Sequence, residues 1–97
     1  GILCIQSESP YIPSLQPFIR SAHRDLCALF TVVKPFLAAI QTYQAGLWLF
    51  QMAYKDYPHS MGHSPIRPIT MPCRYYNEGI HLASFVLPEF VRVLLKS

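Results

Sequence analysis

The chain opens with a short continuous apolar run and continues with apolar residues at helical spacing, which limits the folds open to it. A continuous apolar run, Ile2 to Ile5, is closed by polar residues and by Pro10. A short run bounded in this way is typical of a strand buried on both faces, as in a parallel sheet. A strand followed by a helical pattern indicates an α/β fold.

The second segment predicts an amphipathic helix that starts at Ser14 as its N-cap and ends near Phe30. Pro17 falls inside the first turn, where a missing N–H does no harm. One apolar stripe is formed by residues at helical spacing, namely Leu15, Phe18, Ile19, Ala22, Leu26, Leu29 and Phe30.

Two further runs predict a β-hairpin. Residues 31–42 are rich in Val, Phe and Ile, and Pro35 marks a bulge or an edge strand. Residues 43–46 form the turn, and residues 47–54 return as the antiparallel partner, with Trp48 and Phe50 as core residues at strand period. The predicted order is strand, helix, strand, strand, which suits a three-layer α/β sheet that finishes in a hairpin.

The last third of the chain starts as a surface loop and ends in helices. Residues 56–72 contain four prolines and little periodicity, which predicts a long loop. Asn77 is expected to cap a short helix that runs through Val86. Pro88 restarts the helix, with an apolar face of Phe90, Val91, Leu94 and Leu95.

Composition and charge exclude several classes of function. The chain is 52% hydrophobic and only 13% charged, so it is not a disordered segment. Its net charge of +3 comes from single, scattered Lys and Arg residues, so we expect no nucleic-acid partner. No apolar run approaches the roughly 20 residues that span a bilayer, and the last helix is too short to bind a membrane surface.

Three cysteines occur without a C-x-x-C spacing. Cys4 and Cys27 lie in apolar runs, where a reduced cysteine behaves as a small hydrophobe, and a reducing, cytoplasmic setting is therefore expected. The N-terminal residues do not have the pattern of a signal peptide. Since the chain begins within a predicted strand, we expect it to be a piece of a longer protein.

A metal site is not expected. His59 and His63 are four residues apart with Cys73 downstream, but this spacing serves zinc only on a helix. Prolines and a glycine in the same segment disfavour a helix, and a fourth ligand is lacking. His81 is expected to pack or cap locally.

Three segments, in order, resemble the closing part of one enzyme family. They are GILCIQSESP at residues 1–10, AIQTYQAGLW at residues 39–48, and RYYNEGIH at residues 74–81, which continues into ASFVLPEF at residues 83–90. The chain is similar here to the polyamine aminopropyltransferases, or spermidine synthases. In that family Q-S-E-S-P, I-P-T-Y-x-x-G-x-W and Y-Y-N-x-x-x-H-x-A-x-F-x-L-P-x-F occur in this order.

The resemblance implies the C-terminal portion of a class I methyltransferase-like, Rossmann-like sheet, with residues 1–97 a fragment of the catalytic domain. The family transfers an aminopropyl group from decarboxylated S-adenosylmethionine, its co-substrate, to putrescine or another polyamine acceptor. The amine attacks the carbon next to the sulfonium, which leaves. The intact enzyme is implied to be a cytoplasmic, metal-free homodimer that includes the missing N-terminal half.

By this resemblance, two residues of the chain match residues of the family's substrate site. Gln6 matches a glutamine whose amide holds a polyamine nitrogen, and Tyr43 matches a tyrosine that lines the acceptor pocket. Ligands of such sheets lie beyond the carboxyl ends of the strands, which is where Gln6 stands. Glu8 could add negative charge beside a cationic acceptor.

The donor half of the site is not found in this sequence. The family's catalytic aspartate belongs to a D-x-S-D-P loop that is absent, and the five acidic residues form no pair of base and orienting group. We therefore expect no catalytic residue and no bound cofactor in this chain, and no activity from it alone.

The tyrosine turn departs from the family pattern. Gln41 and Gln44 replace prolines, which loosens the turn by roughly 0.5–1 kcal/mol each through the entropy of the unfolded chain. These changes put the placement of Tyr43 in doubt. They leave open an alternative from another class, a non-catalytic remnant or interaction module of the same fold. Such a module should fold cooperatively by itself, whereas a torn fragment should aggregate through the exposed flank of residues 2–5.

Overall fold

The computed structural model describes residues 1–55 and 67–96. Over these residues the regular elements follow in the order β1 (Ile2–Gln6), a 3₁₀ turn (Pro13–Leu15), α1 (Gln16–Leu29), β2 (Val32–Ala39), β3 (Leu47–Tyr54), α2 (Glu78–Ala83) and α3 (Glu89–Lys96). The predicted α/β class and the order strand, helix, strand, strand, then helices are confirmed.

The sheet has the order β1-β3-β2, with β3 antiparallel to both of its neighbours. Gln6 lies opposite Phe50 in the first pairing, and Ala39 lies opposite Leu47 in the second. Because β1 and β2 both run against β3, they are parallel to each other, and their carboxyl ends lie at the same end of the sheet.

The β2–β3 hairpin matches its prediction, and β2 is an edge strand as Pro35 indicated. Its connection contains Ala45 and Gly46, both at a φ of 74°. Glycine adopts this left-handed conformation without penalty, whereas alanine does so at a cost. The amide of Ile40 donates to the carbonyl of Gly46 at 2.7 Å and closes the turn.

One face of the sheet, termed here the core face, carries Leu37, Leu49 and Gln51. Leu37 and Leu49 lie opposite each other across the two strands and are buried. Ile19 of α1 packs against them, and α3 completes the cluster with Val91 and Leu94. The helices α1 and α3 therefore cover the same face of the sheet.

The opposite face, termed the aromatic face, carries Phe36, Trp48 and Phe50. Phe36 stacks on Phe50 with ring centroids 5.4 Å apart, and Phe85, just after α2, lies 5.7 Å from Phe36. Between α2 and α3 the chain crosses the outer edge of β2, where the Ser84 carbonyl accepts from the Leu37 amide at 2.9 Å. Helical segments thus lie on both faces, as expected for three layers.

The helix boundaries are partly corrected. Ser14 is not the N-cap of α1, because a 3₁₀ turn occupies residues 13–15 and the cap position falls on Leu15, with no side-chain hydrogen bond. Phe18 and Leu29, predicted in the buried stripe, are each 65% exposed. Asn77 caps α2 as predicted, accepting from the amide of Ile80 at 2.8 Å, although α2 ends at Ala83 rather than Val86.

The predicted burial of β1 on both faces is wrong for this chain. β1 is an edge strand, antiparallel to β3, and its residues are exposed apart from the half-buried Ile5. Cys4 and Cys27 are also exposed, not packed as small hydrophobes. β1 is paired with β3 along one edge, and among the described residues no helix packs extensively on either of its faces, so its apolar side chains stay exposed.

The predicted long loop lies mostly outside the described residues. Positions 56–66 are not described, and they include His59 and His63, so the zinc argument is not tested by the structure. Among residues 67–77, which are described and precede α2, no helix or strand occurs.

Leu49→Ala tests the importance of the core face. Leu49 is fully buried among side chains from three other elements, so truncation should lower the free energy of unfolding by about 2–5 kcal/mol. Urea unfolding followed by circular dichroism measures the loss. Leu47→Ala is the matched control in the same strand, because Leu47 is exposed, and it should cost less than about 1 kcal/mol. Equal losses would contradict the assigned core.

Candidate functional site

Gln6 is the last residue of β1, and its side chain is exposed. It lies opposite Phe50, and directly paired residues of a β-ladder project from the same face of the sheet. Gln6 therefore stands on the aromatic face, at the carboxyl end of its strand. An exposed amide at this position has both a donor and an acceptor to offer a ligand.

The residues after Gln6 continue along β3 and are held to it by hydrogen bonds. The amide of Ser7 donates to the carbonyl of Leu49 at 2.7 Å, and the amide of Leu49 donates to the carbonyl of Glu8 at 2.9 Å. The hydroxyl of Ser9, which is fully buried, donates to the carbonyl of Leu47 at 2.7 Å. Residues 7–9 are thus fixed against the first half of β3.

Glu8 has a φ of 63°, in the left-handed region that non-glycine residues seldom adopt. Such a conformation costs on the order of 1–2 kcal/mol, which the flanking hydrogen bonds of Ser7 and Ser9 must offset. The exposed Glu8 side chain brings the only carboxylate of residues 1–10 to this end of the sheet.

Tyr43 lies in the β2–β3 connection and is 52% exposed. Its ring is packed against Trp48, with centroids 5.1 Å apart. Trp48 is buried, and its indole N–H donates to the carbonyl of Gln44 at 3.0 Å, which ties the connection to β3. The predicted core role of Trp48 is confirmed, and Trp48 also supports Tyr43 in spite of the changes at Gln41 and Gln44.

The two predicted site residues lie at the same end of the sheet. Gln6 lies beside Phe50, and Trp48 is two residues earlier in β3 and so on the same face. Tyr43 rests on Trp48. The arrangement presents an amide and a phenol, with the carboxylate of Glu8 nearby in sequence, above an aromatic floor. These oxygens can accept hydrogen bonds from an ammonium group, and aromatic faces attract cations.

His81 packs locally, as predicted. Its Nδ1 lies 3.0 Å from the hydroxyl of Tyr76, and its ring packs on Phe85 at 5.6 Å between centroids. These residues, with Phe36 and Met52, line a cleft of about 230 Å³ beside α2. The cleft is largely apolar, and the hydroxyl of Tyr76 in its wall is engaged with His81.

Over residues 1–55 and 67–96, no group of three or more His, Cys, Asp or Glu side chains could hold a metal ion. Within the same residues, no helix is long and apolar enough to cross a membrane.

Sequence reasoning missed the residues that fix the loop after Gln6. Gln51 is a fully buried polar residue of β3, and its amide nitrogen donates to the hydroxyl of Ser7 at 2.9 Å. Ser9 is equally buried. A glutamine inside an apolar strand was a usable signal, because a buried polar side chain needs a partner, but the partner is 44 residues away.

Comparisons with known proteins agree with the resemblance. No protein-family model matches the chain. The polyamine aminopropyltransferase of Clostridium tetani is 39% identical over 98% of this chain and 33% of its own length. That of Alkaliphilus oremlandii is 35% identical over 99% of this chain and 34% of its own length.

Two solved structures are similar over almost the whole chain. Spermidine synthase from Thermotoga maritima superposes with a TM-score of 0.79 at 28% identity, covering 99% of this chain and 34% of that one. A spermidine synthase in complex with the transition-state analogue AdoDATO gives a TM-score of 0.78 at 29% identity, covering 99% and 33%. The chain spans about a third of the length of the relatives that it matches.

Ser9→Ala tests how the loop after Gln6 is held. Removal of the hydroxyl leaves the Leu47 carbonyl without this partner and should cost about 1–2 kcal/mol of stability. Local loosening should also speed amide hydrogen exchange at Leu49, whose N–H is bonded to the same loop. Ser14→Ala is the control, since Ser14 is exposed, and it should change neither quantity. Unchanged exchange at Leu49 in Ser9→Ala would show that the serine does not anchor the loop.

Proposed function

The chain corresponds to the C-terminal third of the polyamine aminopropyltransferases, and on this premise we propose that residues 1–97 are the C-terminal part of a spermidine synthase-like catalytic domain. In the complete enzyme this part would supply one wall of the site for the acceptor amine. The reaction would transfer an aminopropyl group from decarboxylated S-adenosylmethionine to putrescine, in polyamine biosynthesis.

One observation carries the proposal. Gln6 and Tyr43, the two residues that match the family's acceptor site, are both exposed on one end of the sheet although 37 positions separate them in sequence. Gln6 is placed by the β1–β3 pairing, and Tyr43 by its contact with Trp48. An amide oxygen and a phenol oxygen placed in this way suit the nitrogen of an extended diamine.

The proposed roles are binding and orientation, not proton transfer. Gln6 would accept a hydrogen bond from one acceptor nitrogen, directly or through water, and Tyr43 would orient an amine with its hydroxyl. Glu8 would add favourable charge for a cationic acceptor. The amine must lose a proton before it attacks the carbon beside the sulfonium, and the base for that step belongs to the D-x-S-D-P loop, which this sequence does not contain.

A second candidate is a non-catalytic interaction module of the same fold. Exposed apolar side chains favour it, since Ile2 and Leu3 on β1 and Phe18 and Leu29 on α1 present surface that suits a protein partner. The two candidates differ in one respect that can be measured. Only the first requires a diamine to bind at Gln6 and Tyr43.

For the intact enzyme we propose a cytoplasmic homodimer that also contains the N-terminal part found in the relatives. The support is the resemblance to the family, together with the one-third coverage of the relatives. Sequencing of the source DNA directly upstream of the Gly1 codon tests whether this N-terminal part is encoded. An in-frame segment with a D-x-S-D-P loop is expected, and stop codons at that place would contradict the proposal.

Titration of the isotope-labelled chain with putrescine tests the acceptor site. We expect the amide resonances of Gln6 and Tyr43 to shift together, and the side-chain amide of Gln6 to shift with them. Gln6→Ala should weaken binding roughly three- to tenfold, which is the range for one hydrogen bond to a charged group at an exposed site. Gln16→Ala is the matched control. Gln16 belongs to α1, on the core-face side of the sheet, and its amide donates to the carbonyl of Pro10, so its loss should leave binding unchanged.

The uncharged analogue 1,4-butanediol is the ligand control and should cause no such shifts, because it lacks the ammonium groups. With decarboxylated S-adenosylmethionine added, the chain alone should form no methylthioadenosine. Shifts confined to residues distant from Gln6 and Tyr43 would favour the interaction module instead.

A further inference from the structure

A cysteine and a histidine lie one turn apart on α1, with His23 turned toward the sheet and Cys27 exposed beside it. The Sγ of Cys27 is 3.5 Å from Nε2 of His23, and the thiol is exposed. Residues four apart on a helix are neighbours on its surface, so the pair is set by the helix itself. Cys4 and Cys73 are exposed too, but within residues 1–55 and 67–96 neither thiol is hydrogen-bonded to a histidine.

A buried glutamine fixes the orientation of the histidine ring. The other ring nitrogen of His23, Nδ1, lies 2.8 Å from Oε1 of Gln51. Gln51 is fully buried, and its Nε2 donates to Ser7, so its Oε1 faces His23 as an acceptor. Nδ1 therefore carries the proton, and the lone pair of Nε2 is directed to Cys27.

The arrangement suits a nucleophilic thiol. A histidine that accepts the thiol proton and is itself oriented by a third group activates cysteine for attack, because the thiolate is the reacting form. The pair lies on the core-face side of the sheet, whereas Gln6 and Tyr43 belong to the aromatic face. Neither His23 nor Cys27 belongs to the proposed acceptor site.

We propose that Cys27 is a modification site at which small disulfides carrying carboxylate groups form a mixed disulfide. In the step, His23 takes the thiol proton, and the Cys27 thiolate attacks one sulfur of the disulfide. A new bond forms between Cys27 and that sulfur as the old sulfur–sulfur bond breaks. The second sulfur leaves as a thiolate and receives the proton from the imidazolium. The small disulfide is the oxidant, and it is reduced to one thiol.

The charges around the pair select the kind of disulfide. Arg24 and Arg20 precede Cys27 by three and seven residues, so both lie on its side of α1, and both are exposed. Asp25, two residues before Cys27, points away from that side. Two guanidinium groups beside the thiol favour a reagent with carboxylates over one with ammonium groups.

Competition among the three cysteines of the unaltered chain tests the proposal and needs no variant. The reduced chain is incubated with glutathione disulfide at neutral pH, quenched with acid, and the mixed disulfide at each cysteine is measured by peptide mass spectrometry. Cys27 should react at least about tenfold faster than Cys4 and Cys73. Equal rates at the three cysteines would overturn the proposal.

Variants separate activation from mere exposure. His23→Asn removes the proton acceptor and should lower the rate at Cys27 to that of Cys4, with the rates at Cys4 and Cys73 unchanged. Gln51→Leu should also lower the rate at Cys27, because the His23 ring loses the hydrogen bond that orients it. A rate at Cys27 that stays high in His23→Asn would contradict the role of histidine.

Circular dichroism establishes that each variant is folded. If a variant unfolds, nitrogen chemical shifts of His23 in the unaltered chain decide the matter, since Nδ1–H is expected and Nε2–H would overturn the mechanism.

A charge test uses cystamine, a disulfide of similar chemistry that carries ammonium groups. Relative to Cys4, Cys27 should prefer glutathione disulfide over cystamine, and Arg20→Gln together with Arg24→Gln should remove this preference. A preference for cystamine would overturn the assignment of an anionic reagent.

Discussion

Leu49 joins the core to the candidate site, and most of the structure depends on it. Its side chain is fully buried between α1, α3 and β2. Its amide and carbonyl bond to Glu8 and Ser7, the residues that follow β1. Apolar burial and backbone hydrogen bonds therefore act at one residue of the central strand. Because β3 lies between β1 and β2, the position of both outer strands depends on it.

The aromatic face carries the residues of the proposed acceptor site. Trp48 is buried and supports Tyr43, and its indole bond to Gln44 holds the connection whose prolines are replaced. The loss of proline at Gln41 and Gln44 raises the entropy of the unfolded chain, and a packed aromatic pair offsets part of that loss. The glutamines at positions 41 and 44 are therefore compatible with a Tyr43 ring that packs on Trp48.

Buried polar residues connect the two faces of the sheet. Gln51 is on the core face, where it bonds to His23 on one side and to Ser7 on the other. Ser7 directly follows Gln6. A buried amide with both of its ends satisfied stabilises a single arrangement, since any shift of β3 would leave a polar atom without a partner. The orientation of His23 beside Cys27 and the position of the loop after Gln6 thus both depend on the side chain of Gln51.

The sequence by itself determined the class of fold, the order of the elements, the hairpin with its edge strand and the Asn77 cap, because periodicity and turn residues act over a few positions. The resemblance of short motifs also pointed to Gln6 and Tyr43. Only the tertiary structure decided that β3 lies between β1 and β2, that β1 is exposed, and that Phe18 and Leu29 lie outside the core. It alone joined His23 to Gln51 across 28 positions of sequence. Strand pairing and the partners of buried polar groups depend on contacts between distant residues, and no local period encodes such contacts.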